Sequence, residues 1–456
     1  MSILKENVEI KHSKRLFSNR DLWLLFVPLV IEQGLEYIVG LADSIMVANV
    51  GEAAVSGVSL VDSVMALFIS IFTALATGGG VVIGQYLGSK NYNKAKLSVN
   101  QFAKFTLYFS IVIMLLIYFL KSFILNSLFG QISPEVKEAA DIYFMIVTLS
   151  IPFLAMYNCG AAVFRTIGNS KLPMKIMLYM NILNVIGNAI LVFGFKMGVA
   201  GVAIPTLVSR VGAAIIVLLL ARNKKNELYI IGFFKEKFNL EMVKKILSIG
   251  LPFGLENGMF YLGRLIVLSV VSLFGTASIA ANAVGGTINM FEVLPGVAIN
   301  LGLAVVISKC VGAGDFAQAK YYKKKVEWIM RITFVLSTIV VVGLMPLLMK
   351  IYNLSQEATR LVWIIVVSHG VMMILIWSKS FMLPVVFRSA GDAKFPMITS
   401  TFSMIVFRIV FAYVFSLYFG MGMIGTWVAM YVDWIFRTIT YMIRYRKGTW
   451  MRYKIV

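Results

Sequence analysis

Three observations predict an all-α membrane protein of twelve transmembrane helices, arranged as two parallel repeats of six. The first is composition. Of 456 residues, 59% are hydrophobic and 14% charged, and the mean hydropathy is +0.86; a soluble domain carries about 25% charged residues. The second is the recurrence of apolar runs near ~20 residues, the length that crosses a ~30 Å hydrocarbon core. The alternating pattern of a membrane barrel is absent. The third is an internal repeat. The stretch Phe164-Arg-Thr-Ile-Gly-Asn-Ser-Lys-Leu-Pro-Met174 returns as Phe387-Arg-Ser-Ala-Gly-Asp-Ala-Lys-Phe-Pro-Met397, with Arg, Gly, Lys, Pro and Met in register. Pro28 and Glu32 return as Pro252 and Glu256, and Gly51 as Gly275. Gly88, Ala95 and Lys96 return as Gly312, Ala319 and Lys320, and Gly198 and Gly201 as Gly422 and Gly425. Chance could supply one such match. Five groups in the same order at a nearly constant offset mean duplication.

Charge assigns the loops. The net charge of +21 would suggest nucleic acid on a soluble chain. Here the basic residues sit mostly in short loops, where the positive-inside rule accounts for them, so no nucleic-acid partner is expected. Residues 1–21 form a basic cytoplasmic leader with Lys5, Lys11, Lys14, Arg15 and Arg20. No small-residue cleavage site follows it, so the first span reads as a retained anchor.

Spans 1 and 2 fall at about 22–42 and 55–83, followed by an inside loop with Lys90, Lys94 and Lys96. Span 3 (about 99–120) leads to an outside segment with Glu135, Glu138 and Asp141, and span 4 is about 142–163. The first repeat hairpin, with Arg165, Lys171 and Lys175, lies inside, ahead of spans 5 and 6 at about 174–195 and 199–221. A basic linker, 222–246, carries Arg222, Lys224, Lys225, Lys235, Lys237, Lys244 and Lys245. Spans 7 and 8 are about 247–273 and 279–308, then Lys320, Lys323, Lys324 and Lys325 lie inside. Spans 9 to 12 are about 327–349, 360–385, 397–418 and 422–443, with Arg388 and Lys394 inside and a basic tail, 444–456, ending in Arg452 and Lys454. The lobes are thus 22–221 and 247–443. Every second loop is basic, which places both termini in the cytoplasm. Six spans return the chain to its starting side, so the halves are parallel, as is common in secondary transporters.

Charge inside a bilayer costs at least ~2.5–3.5 kcal/mol per residue at mid-helix. Span 1 nevertheless holds Glu32, Glu36 and Asp43, which fall within about 40° of one helical face. That face should line a cavity or the core between spans. Burial and like-charge neighbours favour the protonated form of a carboxyl group, so this set could take up and release a proton; the alternative is carboxylates bonded to neighbouring helices. Span 5 places Asn181, Asn184 and Asn188 on one face, as cation ligands or as glue between helices. Thr206 follows Pro205 in span 6, poised at a helix irregularity or bonded back to its own helix. Pro28, Pro152, Pro205, Pro252, Pro295 and Pro384 mark points where spans can bend.

The second half departs from the first at this set. The counterparts of Asp43, Asn184 and Asn188 are Val267, Arg408 and Ala412. Packing alone would not require that asymmetry, which favours a dedicated ion site in the first half. The second half has its own in-span charges, Glu256, Arg264, Glu292, Lys379, Arg408 and Asp433. They balance three against three, as mutual salt bridges or as the walls of a charged substrate cavity. The two cysteines, Cys159 and Cys310, and two histidines, His12 and His369, make no metal-ligand spacing, so neither a disulfide framework, a metal centre nor a cofactor is expected.

In these motifs the chain resembles the multidrug and toxic compound extrusion (MATE) family over essentially all twelve spans. Pro28 and the run Asp43-Ser-Ile-Met-Val47 match the family's span-1 pattern. Its loop after span 4 is matched from Arg165 to Met174 and again from Arg388 to Met397, with Thr166 and Ser389 in place of a glycine. Leu183, Asn184, Asn188, Phe193, Gly194, Gly198, Gly201, Ala203 and Thr206 match the span 5–6 pattern. The resemblance implies a V-shaped pair of six-helix lobes and cation-coupled antiport by alternating access. It also implies a first-lobe site for H+ or Na+ at Asp43, Asn184, Asn188 and Thr206. Some members have Asp where this chain has Asn188, so the site here holds one carboxylate and leaves the ion open. A branch with acids in spans 7 and 10 is not matched: the span-10 position is Trp377, and Glu256 lies about one turn early.

The expected function is therefore export of organic, cationic or amphipathic compounds from a multi-pass protein of the cell inner membrane. The protein is expected to be a monomer among membrane lipid. Glu32, Glu36, Asn181, Glu256, Arg264, Glu292, Lys379 and Arg408 are candidates for substrate contact or proton relay. A flippase for a lipid-linked precursor, from the same superfamily, is the alternative, kept open by Arg264, Lys379 and Arg408. A membrane prenyl transferase would need Asp-rich diphosphate motifs and a channel a filter-like loop; neither stands out.

Overall fold

The computed structural model describes residues 15–128, 133–230, 236–453 and 455–456. Lys5, Lys11, His12 and Lys14 of the leader, Lys235 of the linker and Lys454 of the tail lie outside them. Among the described residues the regular structure is helical. The elements are α1 (Asn19–Ala48), α2 (Glu52–Gly88), α3 (Tyr92–Phe123), a broken α4 (Pro134–Leu149 and Ile151–Thr166), α5 (Lys171–Gly194) and α6 (Ala200–Ala221). Then come α7 (Leu240–Ser272), α8 (Gly275–Gly312), α9 (Phe316–Tyr352), α10 (Gln356–Ala390), α11 (Lys394–Tyr418) and α12 (Met423–Lys447). Ten of these are long and apolar enough to cross a membrane, and the broken α4 makes an eleventh. The twelfth, α12, carries Asp433 and Arg437 near its middle, and both side chains are buried. The chain is a multi-pass membrane protein, as its composition predicts.

The helices start earlier than the apolar runs because polar residues cap and open them. Span 4, expected at 142–163, begins at Pro134, where Ser133 caps Val136 N at 3.4 Å. Glu135, Glu138 and Asp141 therefore lie on a helix and not in a loop. The helix bends by 44° at Ser150. Pro152, two residues on, has no N–H to continue the ladder, and Ser150 Oγ takes up the Val147 carbonyl at 2.6 Å. The basic linker is similarly structured: Gln101 Nε2 donates to Lys237 O at 2.9 Å, Asn100 Nδ2 to Glu236 at 3.0 Å, and Lys96 lies over the Tyr229 ring.

The chain divides into two compact units, one of Asn19–Gly250 and one of Leu251–Val456 together with the residues before Asn19. In the first, Val61, Phe72, Phe144 and Val202 anchor the apolar core. In the second, Val271, Ile288, Met345 and Val366 do so. Leader residues join the second unit through Leu16 N to Gln318 at 2.9 Å and Tyr322 OH to Phe17 O at 2.7 Å. The tail joins it through Trp450, fully buried and stacked on Tyr445.

The duplication read from sequence is present in the backbone. Gly168 and Gly391, equivalent in the two copies, have φ of +94° and +107°, a left-handed turn that residues with a Cβ rarely adopt. After each, the chain closes on the same partner: Asn169 N to Phe164 O and Asp392 N to Phe387 O, both 2.9 Å. Helix caps repeat too. Asn91 accepts from Lys94 N at 3.1 Å and Asp315 from Gln318 N at 2.9 Å.

Candidate functional site

In the first unit α1 packs on α5, and α5 on α6. The second contact is close because Gly187 faces Pro205: a Cβ at Gly187 would stand 2.7 Å from the proline ring. This approach brings polar residues of three helices into one chain of hydrogen bonds. Asn188 Nδ2 donates to Asp43 Oδ1 at 2.6 Å and lies 3.3 Å from Asn184 Oδ1. Asn184 Nδ2 donates to Thr206 Oγ1 at 3.0 Å, and the threonine hydroxyl donates back to Val202 O. Asn184, Asn188 and Thr206 are buried and Asp43 is partly buried. The four residues that the resemblance implies thus form one connected set.

One atom in this set lacks a partner. Asn188 Oδ1 is buried and accepts no hydrogen bond. The donor inventory fits a hard cation, which takes carboxylate, amide and hydroxyl oxygens: Asp43, Asn184, Asn188 and Thr206 offer one or more each. Among the described residues, no cluster of three or more His, Cys, Asp or Glu side chains could hold a metal ion.

Three residues that the sequence reading did not single out stand beside the set. Asp62 of α2 and Arg210 of α6 are electrostatic neighbours of Asp43. Tyr143 OH donates to Asp62 Oδ1 at 3.1 Å, and Arg210 Nη1 donates to Ser150 Oγ at 2.8 Å. The in-span charge criterion that selected the α1 carboxylates applies equally to Asp62 and Arg210, and would have found both.

The remaining candidates are placed elsewhere. Glu32 is 1% exposed; its Oε1 accepts from Arg165 at 2.5 Å and from Tyr157 OH at 3.1 Å. Glu36, one turn on, is exposed and accepts from Gln33 at 3.1 Å. Asn181 Nδ2 donates to Leu35 O at 2.8 Å, so it ties α5 to α1 below the site.

In the second unit Glu256 takes Arg388 at 2.8 Å and the Ser400 hydroxyl at 2.8 Å. Glu292 is fully buried against His369 Nδ1 at 2.8 Å. The six in-span charges therefore do not close on one another. Two of the three carboxylates pair with residues outside that group, and only Asp433 faces Arg408, at 3.9 Å. Arg437, which the sequence reading passed over, faces the same carboxylate at 3.8 Å. Lys379 is an electrostatic neighbour of Glu327, and Arg264 of Arg408.

A family model, MatE, matches residues 28–190 and again 252–414, one copy in each half. An uncharacterized transporter of Bacillus subtilis, YisQ, is 28% identical over 99% of this chain and 98% of its own length. A probable multidrug resistance protein of Thermotoga maritima, NorM, is 24% identical over 94% and 93%. Among solved structures, a MATE protein crystallised in its bent conformation superposes with a TM-score of 0.86 over 95% of this chain and 96% of its own, at 19% identity.

Proposed function

The chain belongs to the MatE family, and from that premise we propose an efflux antiporter of the cell inner membrane with both termini on the cytoplasmic side. It couples entry of H+ or Na+ to export of organic, cationic or amphipathic compounds by alternating access. It works as a monomer and needs no cofactor. The name of the NorM relative, a multidrug resistance protein, directs the choice of substrate towards drug-like molecules and away from a lipid-linked precursor.

The observation that carries the reading is the chain Asp43–Asn188–Asn184–Thr206 with its orphaned Asn188 oxygen. The Asn188 amide nitrogen lies between two oxygens, Asp43 Oδ1 and Asn184 Oδ1. A cation entering there would displace it, and the amide would turn to offer its free oxygen. A proton on Asp43 would act on the same bond, since a protonated carboxyl is a poorer acceptor for the amide. Either ion loosens the tie between α1 and α5, and so biases the access states by binding them unequally.

The test is efflux from proteoliposomes under an imposed proton or sodium gradient, in wild type and Asp43→Asn, with a panel of organic cations. A gradient that drives export, and loses its hold in Asp43→Asn, supports the reading and identifies the ion. Unchanged transport in Asp43→Asn removes the site. Movement of a lipid-linked pyrophosphate in place of the cations would put the flippase first.

A further inference from the structure

Near the middle of α11 and α12, two arginines stand beside one carboxylate. Arg408 Nη1 lies 3.9 Å from Asp433 Oδ2, and Arg437 Nε 3.8 Å from Asp433 Oδ1, both beyond hydrogen-bond length. Asp433 Oδ1 accepts the Ser403 hydroxyl instead. Arg264 adds a third positive charge beside Arg408. Arg437 Nε reaches Ser380 at 3.3 Å. Arg408 Nε and Nη1 and Arg437 Nη2 have no hydrogen-bond partner, although the two residues are only 9% and 3% exposed.

The surplus is not an accident of one rotamer. Closing Asp433 onto Arg408 would neutralise one charge of three. The other carboxylates of this unit's spans are engaged: Glu256 by Arg388, Glu292 by His369, and Glu327 by Lys323 and Arg331. Uncompensated charge at mid-helix is costly, and such residues face a cavity or a partner. Arg264 is exposed, and a span arginine that is exposed faces water in preference to lipid. Arg408 sits on a π-helical turn, Met404–Val410, a distortion often found at functional sites. Aromatic faces flank the two buried guanidinium groups, Phe260 at 5.0 Å and Phe381 at 4.4 Å.

We infer that this cluster binds an oxyanion, the carboxylate, sulfonate or phosphate group of the transported molecule, between Arg408 and Arg437, with Arg264 at its approach. The planar guanidinium fork suits a carboxylate or phosphate, and the rings suit an apolar aromatic body. The inference rests on the export reading and names its substrate class: amphipathic organic molecules with an anionic group, zwitterions included.

The probes are rhodamine B, which carries a free benzoate, and its ethyl ester, which has the same fluorophore without the anion. Binding is followed by fluorescence anisotropy on the full chain in phosphatidylcholine nanodiscs. Wild type should bind the benzoate at least about tenfold more tightly than the ester, as expected for a charge-assisted hydrogen bond. Arg408→Gln and Arg437→Gln should collapse that ratio, and Arg264→Gln, at an exposed position, should lower it without a folding defect. Arg408→Lys should restore part of it. Equal affinities in wild type, or an Arg408→Gln variant that weakens both probes alike, would overturn the inference. So would loss of benzoate binding when anionic phosphatidylglycerol is added to the nanodisc, because the oxyanion would then be a lipid headgroup. Gradient-driven movement of the ester in proteoliposomes reports the export reading separately: if it occurs without a benzoate preference, only this inference fails.

Discussion

The two units are copies of one scaffold that have been given opposite polarity. Around Asp43 the first unit sets two carboxylates, Asp43 and Asp62, against Arg210. At the corresponding depth the second unit sets Arg264, Arg408 and Arg437 against Asp433. Arg408 occupies the repeat position of Asn184, and Val267 that of Asp43. What has not diverged is the bracket at the other end of the same helices. Glu32 holds Arg165 and Glu256 holds Arg388, at equivalent positions of the two repeats. Duplication preserved what every copy needs in order to fold, and changed what only one copy needs in order to bind.

The largest expected effect tests the shared part. Arg165→Leu leaves the buried Glu32 without a counter-charge, and Arg388→Leu leaves the largely buried Glu256 with only the Ser400 hydroxyl. Breaking a buried pair from one side costs about 3–5 kcal/mol, and the two losses should be similar. Thermal unfolding of the purified variants in detergent measures this. A large loss in one unit and none in the other would break the claim that the bracket is common to both.

Next comes the divergent part. Asn184→Arg installs in the first unit the residue that the second unit carries at that position. The new guanidinium would lie beside Asp43 and take the place of the cation. Gradient-driven efflux should fall at least about tenfold, the equivalent of about 1.4 kcal/mol, since a fixed guanidinium paired with Asp43 leaves the coupling ion nothing to bind. Binding of the rhodamine B ester in nanodiscs should persist. If efflux continues at the wild-type rate, the polarity of the two units does not matter for coupling.

A smaller effect comes from geometry. Gly187→Ala puts a methyl group 2.7 Å from the Pro205 ring. Overpacking of this kind costs about 1–3 kcal/mol, and here it would separate Asn184 from Thr206. Efflux under the coupling gradient should fall more than ester binding does. A variant with normal efflux would mean that the α5–α6 spacing does not set the site.

Much of this was legible from sequence because both signals are one-dimensional. Span length and loop charge gave the twelve helices, and the recurrence of Phe164–Met174 at Phe387–Met397 gave the repeat. Asp43 was readable on one face of span 1 and Asn184 and Asn188 on one face of span 5; Thr206, and the grouping of the four as one set, came from the family resemblance. Partners were not readable. Which arginine meets Glu32, or that Glu292 meets His369 across two helices, depends on how helices far apart in sequence are packed. Periodicity fixes a face and leaves its neighbour open. Counting charges in spans therefore left mutual salt bridges and a charged cavity as alternatives in the second unit, where tertiary contacts give Glu256 and Glu292 other partners and leave the arginines in excess.

The smallest effect separates structure from binding within a single helix. Asn181, Asn184 and Asn188 share one face of α5, and by sequence alone they are equivalent. In the fold they are not. Asn181 Nδ2 ends on a backbone carbonyl, Leu35 O, as a tie between helices; its buried Oδ1 is unpartnered like that of Asn188, so what separates the two is the Asp43 carboxylate that only Asn188 bonds. Such bonds are worth about 0.6 kcal/mol in membrane proteins, so Asn181→Ala should lower the unfolding midpoint slightly and leave the ion dependence of efflux as it is. Asn188→Ala removes a donor to Asp43 together with the free oxygen, and should cost a similar amount of stability while abolishing the response to the coupling ion. The two variants, assayed side by side for thermal midpoint and for efflux against ion concentration, should agree on the first and differ on the second. If Asn181→Ala also alters the ion response, the site extends a turn further along α5, towards Glu36.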